Sequence, residues 1–222
     1  MAHPARSTLS PERIAEAALD LVDRDGLAAL TMRRLGSELG VEGMSLYFYF
    51  SSKEDILDKV VDLLLSSIEL PPDNGRSWDE VAHQLFENVR AHLLAHPNTV
   101  QLFATRLGQS VEALAPIELS LRNLREAGFD EWGAIDGHRI LMSFTLGYVI
   151  SEVTARTDPN SHPEGWGTAA YALRELPADQ LPHLTELAPI ALAGRSDRQF
   201  DTCLTTLLGG LRERLGQTSA CD

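Results

Sequence analysis

Signals that begin and end α-helices recur along almost the whole chain, and they constrain its fold more than any other feature. Ser10-Pro11 is typical of a helix start, because serine caps free backbone amides and proline fits the first turn. Apolar residues then recur at intervals of three and four positions from Ile14 to Val22, which puts them on one helical face. No alternating apolar runs flank Asn-Gly or Asp-Gly turns, as they would in β-hairpins. The sequence therefore predicts an all-α protein.

The predicted helices are short in the first fifty residues and longer after them. Thr31 caps a short helix that stops at Gly40, and a third short helix covers about residues 42–49. Ser51-Ser52-Lys53-Glu54 forms a capping box at the start of a long helix that ends near Leu70. A second capping box, Ser77-Trp78-Asp79-Glu80, opens the next helix. Further helices are predicted at about 100–107, 116–127, 130–156 and 198–215, with a loop at 157–167 and only one or two short helices at 168–194.

Composition and charge limit the classes of function. The 222 residues carry 32 acidic and 19 basic side chains, so the formal net charge is −13. A chain this acidic is not a general binder of polyanions, and nucleic acid must bind through a local patch that reads bases. Three basic residues against two acidic ones between Gly26 and Lys53 make that segment the place for such a patch.

Cysteine content and hydropathy predict a cytoplasmic chain. Two cysteines, Cys203 and Cys221, make neither a disulfide framework nor a zinc cluster, which favours a reducing compartment. The first eight residues lack the apolar core of a secretory signal. The most apolar stretch, residues 140–150, has about half of the roughly 20 residues that a membrane span needs, so no membrane partner is expected.

Residues 30–50 have the outline of a helix-turn-helix. Two short helices meet at Gly40, which allows the positive φ of a tight turn, and Leu35, Leu39, Val41 and Leu46 can form a small core. Arg33 is long enough to form two hydrogen bonds with a guanine. Small or unbranched side chains at the start of the second helix leave room for base edges. The helix start capped by Thr31, the two tyrosine hydroxyls and Lys53 can bind phosphates. The predicted DNA-binding residues are Thr31, Arg33, Gly43, Met44, Ser45, Tyr47, Tyr49 and Lys53.

The segment from Thr31 to Lys53, with Leu-Gly-Val at 39–41 and Leu-Tyr at 46–47, resembles the DNA-binding domain of the TetR family of repressors. Three later segments resemble the tetracycline-repressor branch of that family: Ser77-Trp78, residues 144–149, and residues 200–211. The resemblance implies a helix-turn-helix domain at 1–51, a connecting helix at 52–70, and a ligand-binding and dimerisation domain at 71–222. It also implies a homodimer, with the helices near 131–156 and 198–215 in a four-helix bundle, that binds a palindromic DNA operator.

The function implied is that of a ligand-responsive transcriptional repressor, without catalysis or a cofactor. The resemblance puts Phe103 where tetracycline-binding members have a metal-ligating histidine, so no metal site and no tetracycline effector are expected. Aromatic side chains in the second domain instead favour a small hydrophobic or aromatic effector. The predicted ligand-binding residues are Phe86, Phe103, Phe144 and Tyr148.

Two alternatives remain open from the residues. An all-α enzyme would need a nucleophile with a base, a metal cluster or a cofactor loop, and the sequence has no P-loop, Gly-x-Gly-x-x-Gly, His-Glu-x-x-His or Cys-x-x-Cys motif. A DNA-binding protein without an effector would bind its operator but respond to no ligand. His83, His92 and His96 are interpreted as surface or capping residues, and His138 as a hydrogen-bonded core or interface residue rather than a metal ligand.

Overall fold

The computed structural model describes residues 9–72, 74–157, 177, 179–193 and 196–218. Within them the chain is helical and has no β-strand, which confirms the predicted all-α fold with an N-terminal helix-turn-helix. Short 3₁₀ segments lie at Leu27–Ala29, Gly43–Phe48 and Pro97–Thr99. The α-helices are α1 (Pro11–Asp25), α2 (Met32–Glu38), α3 (Lys53–Ser66), α4 (Trp78–Ala95), α5 (Val100–Thr105), α6 (Val111–Glu126), α7 (Glu131–Thr157), α8 (Pro182–Ala193) and α9 (Ser196–Thr218).

Most helix ends lie where local chemistry predicts them. The Ser10 hydroxyl accepts a hydrogen bond from the Arg13 amide at 3.3 Å, and α1 ends before Gly26, whose φ is +81°. Ser77 precedes α4, and its amide donates to the Glu80 carboxylate at 2.9 Å. That bond is the main reason that the pKa of Glu80 lies below its ordinary value. These ends confirm that short-range capping fixes the helix limits.

Two predicted helix starts are wrong in register. The capping box of α3 pairs Ser52 with Asp55, since the Ser52 hydroxyl accepts a hydrogen bond from the Asp55 amide at 3.1 Å. This pair lies one residue later than the predicted pair of Ser51 and Glu54. Helix α6 starts five residues before Pro116, since the Ser110 hydroxyl caps the Ala113 amide at 3.2 Å. The proline then lies inside the helix, where its lack of an N–H costs one backbone hydrogen bond.

The described residues fall into two compact units. The first comprises Met1–Glu69 with Ala95–Leu119, and the second comprises Leu70–Leu94 with Ser120–Asp222. In the first unit α1 packs on α3, and the apolar faces of both helices are buried. Helix α3 buries Ile56, Val60, Val61 and Leu64 and thereby provides much of this core. The domain boundaries predicted at residues 51 and 70 stay predictions.

In the second unit α7 packs on α9, with α4 contributing buried residues to the same unit. The buried side chains include Leu85, Phe86, Leu141, Phe200 and Leu204. Helix α8 agrees with the short helix predicted between 168 and 194, whereas residues 158–167 of the predicted loop lie outside the described residues. Among the described helices none is long and apolar enough to span a bilayer.

Candidate nucleic-acid interface

The turn after α2 brings two backbone segments into close contact through two glycines. Gly40 takes the positive φ of +68° that the turn requires. A Cβ atom on Gly36 would lie 2.8 Å from the Gly43 nitrogen, and one on Gly43 would lie 2.9 Å from the Met32 carbonyl oxygen. Neither distance leaves room for a methyl group. The start of the Gly43–Phe48 segment therefore rests directly on the backbone of α2.

The Gly43–Phe48 segment buries one side chain and exposes most of the others. Leu46 is fully buried, whereas Met44 is 71% exposed. Tyr47 is exposed too, as is Tyr49, which directly follows the segment. Phe48 is 89% exposed and is not among the predicted DNA-binding residues. Exposure of large apolar side chains on so short a segment is typical of a surface that a partner covers. The signal that could have identified Phe48 is its position, two residues after the buried Leu46.

The polar candidates are exposed or half-buried on the same unit. The Thr31 hydroxyl caps α2 by accepting the Arg34 amide at 3.2 Å. Arg33 is exposed and has no hydrogen bond or ion pair with any described residue. Ser45 and Lys53 are half-buried, with Lys53 in the first turn of α3.

The other arginines near this turn are held by carboxylates. Arg34 pairs with Asp25 at 2.5 Å, and Arg24 pairs with Glu38 at 2.5 Å. Hydrogen bonds to Asp25 and Glu38 raise the pKa of Arg24 above its ordinary value. These pairs tie α1 to α2 and leave Arg33 as the exposed arginine of the Arg33-Arg34 pair that is available to a nucleic acid.

Acidic residues at every fourth position of α3 hold the segment between α5 and α6. Arg106 contacts both Glu54 and Asp58, and the Asp62 carboxylate accepts the Gln109 amide at 2.6 Å. Burial lowers the pKa of Arg106, but the hydrogen bonds to Asp58 and Glu54 outweigh it and raise the pKa overall. Gly108 fits here because a Cβ atom would lie 2.6 Å from the Ala113 methyl carbon. The segment from Arg106 to Ser110 is thus attached to the same helix that Lys53 begins.

The second unit contains a cluster of aromatic rings around one buried ion pair. Phe144 stacks on Phe200 with ring centres 5.3 Å apart, and Tyr148 meets Phe200 edge-on at 5.2 Å. Arg90 donates two hydrogen bonds to Glu152, at 2.9 and 2.6 Å, and its guanidinium lies 4.8 Å from the Phe200 ring centre. Phe144 and Tyr148 were predicted ligand-binding residues, whereas Phe200 and Arg90 were not. No local pattern could have revealed them, because they belong to two other helices.

The remaining two predicted ligand-binding residues have different surroundings from Phe144 and Tyr148. Phe86 is fully buried, and its ring centre lies 6.3 Å from that of His138. The His138 ring in turn contacts the Ser120 hydroxyl at 3.0 Å, which agrees with its interpretation as a hydrogen-bonded core residue. Phe103 is half-buried on α5, a helix of the first unit. The ligand-binding roles of all four aromatic residues stay predictions.

Two family models together match most of the chain, and only residues 61–69 lie between the two matched segments. Residues 14–60 match the model of bacterial regulatory proteins of the tetR family, and residues 70–215 match the tetracyclin repressor-like C-terminal domain. The chain belongs to the TetR family. The TetR family consists of DNA-binding transcriptional regulators with a ligand-binding domain, so this chain is a ligand-responsive regulator and not an enzyme.

Individual TetR proteins are similar over almost their whole length. An HTH-type transcriptional regulator of Saccharopolyspora erythraea is 30% identical over 94% of this chain and 86% of its own length. The class A tetracycline repressor of Escherichia coli is also 30% identical, over 93% of this chain and 92% of its own. The structure of ActR from Streptomyces coelicolor in complex with actinorhodin superposes with a TM-score of 0.82, at 28% identity, and covers 95% of this chain and all of that one.

Proposed function

We propose that the chain represses transcription by binding a palindromic operator as a homodimer, and that a small hydrophobic or aromatic effector releases it. The observation that carries the DNA-binding half is the exposed face of the Gly43–Phe48 segment beside the exposed Arg33. Thin residues at its start allow close approach to base edges, while Met44 and Phe48 can contact thymine methyl groups. An acidic body with this small patch favours base readout over general phosphate binding.

The dimer half of the proposal rests on the outer surface of α7. Ile135 and Ile150 are exposed on this helix, and a Cβ atom at Gly147 would meet no atom within 4 Å. Exposed apolar side chains together with open glycine positions favour the close approach of a second helix. A symmetric dimer formed through this surface has two DNA-binding segments, one for each half of a palindromic operator.

The effector half rests on the aromatic cluster of Phe144, Tyr148 and Phe200. Flat aromatic rings favour a ligand that is itself flat and apolar. The relative ActR was solved with actinorhodin, and tetracycline repressors are named for their drug, so both support a polycyclic effector class. Glu152 already has Arg90 as a bidentate partner, which argues against its use for a magnesium-chelated drug. An effector that binds without a metal ion fits this arrangement.

Helix α3 is the proposed lever between effector and operator. It begins at Lys53, next to the DNA-binding segment, and its acidic side chains hold Arg106 and Gln109. An effector that shifts the segment between α5 and α6 can therefore change the orientation of α3. Coupling of about 1–3 kcal/mol is usual for such regulators and changes operator affinity by roughly 5- to 150-fold.

The proposal is tested with the DNA upstream of the chain's own gene. Fluorescence anisotropy should detect binding to this DNA, and competition with scrambled DNA of equal length should be weak. A panel of polycyclic aromatic compounds should contain at least one that releases the DNA, and sedimentation should detect a dimer. No binding by a monomeric protein would overturn the proposal. Operator binding that no aromatic or apolar compound weakens would instead support the DNA-binding protein without an effector.

A further inference from the structure

Three side chains of metal-ligating types meet in the second unit, where side chains of α4 and α9 come together. The His83 Nε2 atom is 2.9 Å from the Asp201 Oδ1 atom, and its Nδ1 atom is 3.5 Å from the Glu87 Oε2 atom. One nitrogen and one oxygen from each carboxylate lie within 4.8 Å of one another. His83 and Glu87 share one face of α4, since they are four residues apart. Asp201 comes from another helix, 118 residues further along the chain.

In the part of the chain that the structure describes, no arginine or lysine forms an ion pair with Glu87 or Asp201. Among the described residues, the ion-pair partner of both Glu87 and Asp201 is the same imidazole. Two of the nearby arginines have other partners, since Arg90 binds Glu152 and Arg212 binds Asp79. A neutral imidazole has one N–H, so it can donate to only one of the two carboxylates. A second proton on the ring, or a metal ion bound by the other nitrogen, would offset the second negative charge.

A groove gives ions and water access to His83. It has a volume of about 480 Å³, and its lining includes Asp79, Glu80 and His83 of α4, Thr205 and Leu208 of α9, and the two arginines Arg76 and Arg212. The imidazole is three-quarters buried, while both carboxylates are more exposed. Such a site holds its nitrogen ligand firmly and leaves positions for water, as open metal sites do.

We propose that His83, Glu87 and Asp201 bind a first-row divalent transition-metal ion of the Zn²⁺ type. An imidazole nitrogen combined with carboxylate oxygens suits this class, whereas Mg²⁺ and Ca²⁺ prefer ligand sets made of oxygen alone. The ion links α4 to α9 and stabilises the second unit. The proposal stands apart from the proposed function, because it uses neither the DNA-binding segment nor the aromatic cluster.

The test uses the full chain after removal of metals with EDTA, in a reducing buffer that keeps the thiols free. Titration with ZnCl₂ in a calorimeter should give one saturable site per chain, and the melting temperature should rise with the Zn²⁺ concentration. His83→Ala and Asp201→Asn should each weaken Zn²⁺ binding at least tenfold. Both side chains lie near the surface of the unit, so circular dichroism should detect an unchanged helical fold.

Three control variants separate this site from chance binding. Cys203→Ser tests capture by the thiol two residues from Asp201, Glu213→Gln removes an exposed carboxylate of α9, and His183→Ala removes an exposed imidazole. All three should bind Zn²⁺ like the parent. Absence of saturable binding, or equal binding by His83→Ala and the parent, would overturn the proposal. Tighter binding of Mg²⁺ than of Zn²⁺ would overturn it too, since imidazole then contributes nothing.

Discussion

Gly36 and Gly43 contact each other through their backbones, with the position of a Gly36 Cβ atom only 2.8 Å from the Gly43 nitrogen. This contact sets the distance between α2 and the Gly43–Phe48 segment. Because both partners are backbone atoms, neither can move aside as a flexible side chain could. Gly43 was predicted as a DNA contact, and the structure gives it a packing role that needs no DNA.

Replacing Gly36 by alanine should destabilise the first unit by about 1–3 kcal/mol and weaken operator binding, because the added methyl group forces the two segments apart. Gly36 is buried and is not a predicted DNA contact, so a loss of binding reports on the geometry of the turn. Urea unfolding and fluorescence anisotropy measure the two effects. Gly216→Ala is the control, since a Cβ atom there meets no atom within 4 Å, and it should leave both values near those of the parent.

Arg33→Ala should weaken operator binding by about 1–3 kcal/mol, the range for a lost base contact, because Arg33 is exposed and has no partner among the described residues. The free energy of unfolding should change by less than about 0.5 kcal/mol, as is usual for exposed sites. Arg122→Ala removes an exposed arginine from α6 and serves as the matched control. If both variants bind the operator like the parent, Arg33 is not a DNA contact.

Leu146→Asp should convert the dimer to a monomer, because it introduces a charge on the helix proposed for the dimer interface. Leu146 is half-buried on α7. Analytical ultracentrifugation measures the change, and circular dichroism checks that the monomer is folded. Arg122→Asp places the same side chain at an exposed position of α6, outside the helix proposed for the interface, and should remain dimeric. A folded Leu146→Asp dimer would place the interface elsewhere.

Arg106→Ala should reduce the effect of the effector on operator binding more than it reduces operator binding itself. The guanidinium holds the segment between α5 and α6 on Glu54 and Asp58, so its loss leaves that segment attached to the lever helix α3 mainly through Asp62. The ratio of operator affinities with and without effector should fall towards one. An unchanged ratio would remove Arg106 from the coupling route. Arg106→Lys retains the charge without the two-pronged geometry and should give an intermediate ratio.

His138 should make the protein less stable in weak acid. Burial lowers the pKa of His138 below its ordinary value. Between that lowered value and about 6.5 the unfolded chain binds a proton that the folded chain does not, so stability falls as the pH drops through this window. His138→Asn removes the titrating group, and its unfolding free energy should decline less between pH 7.5 and 5.5 than that of the parent. His183→Asn, at an exposed position, should follow the parent curve.

Hydrogen bonds between residues close in sequence explain why most helix starts could be predicted from the sequence. Ser10, Thr31 and Ser77 each lie next to the helix that they were predicted to start, because a cap acts on amides two or three residues away. The wrong start predicted at Pro116 also has a local cause. The Ser110 hydroxyl caps α6, which starts five residues earlier than Pro116 and therefore includes it. The exposed Met44 and Tyr47 were likewise predictable, as a segment of six residues cannot bury every face.

The sequence by itself determined the helical class and the helix-turn-helix, and it indicated Met44 and Tyr47 on the exposed surface but not Phe48, since these features follow from contacts between near neighbours. Only the tertiary structure decided that Gly43 packs against α2, that Arg90 holds Glu152, and that His83 meets Asp201. The last two pairs are 62 and 118 residues apart. Which side chains meet over such separations depends on how the helices pack, and packing is determined by the shape of the whole core rather than by any local pattern.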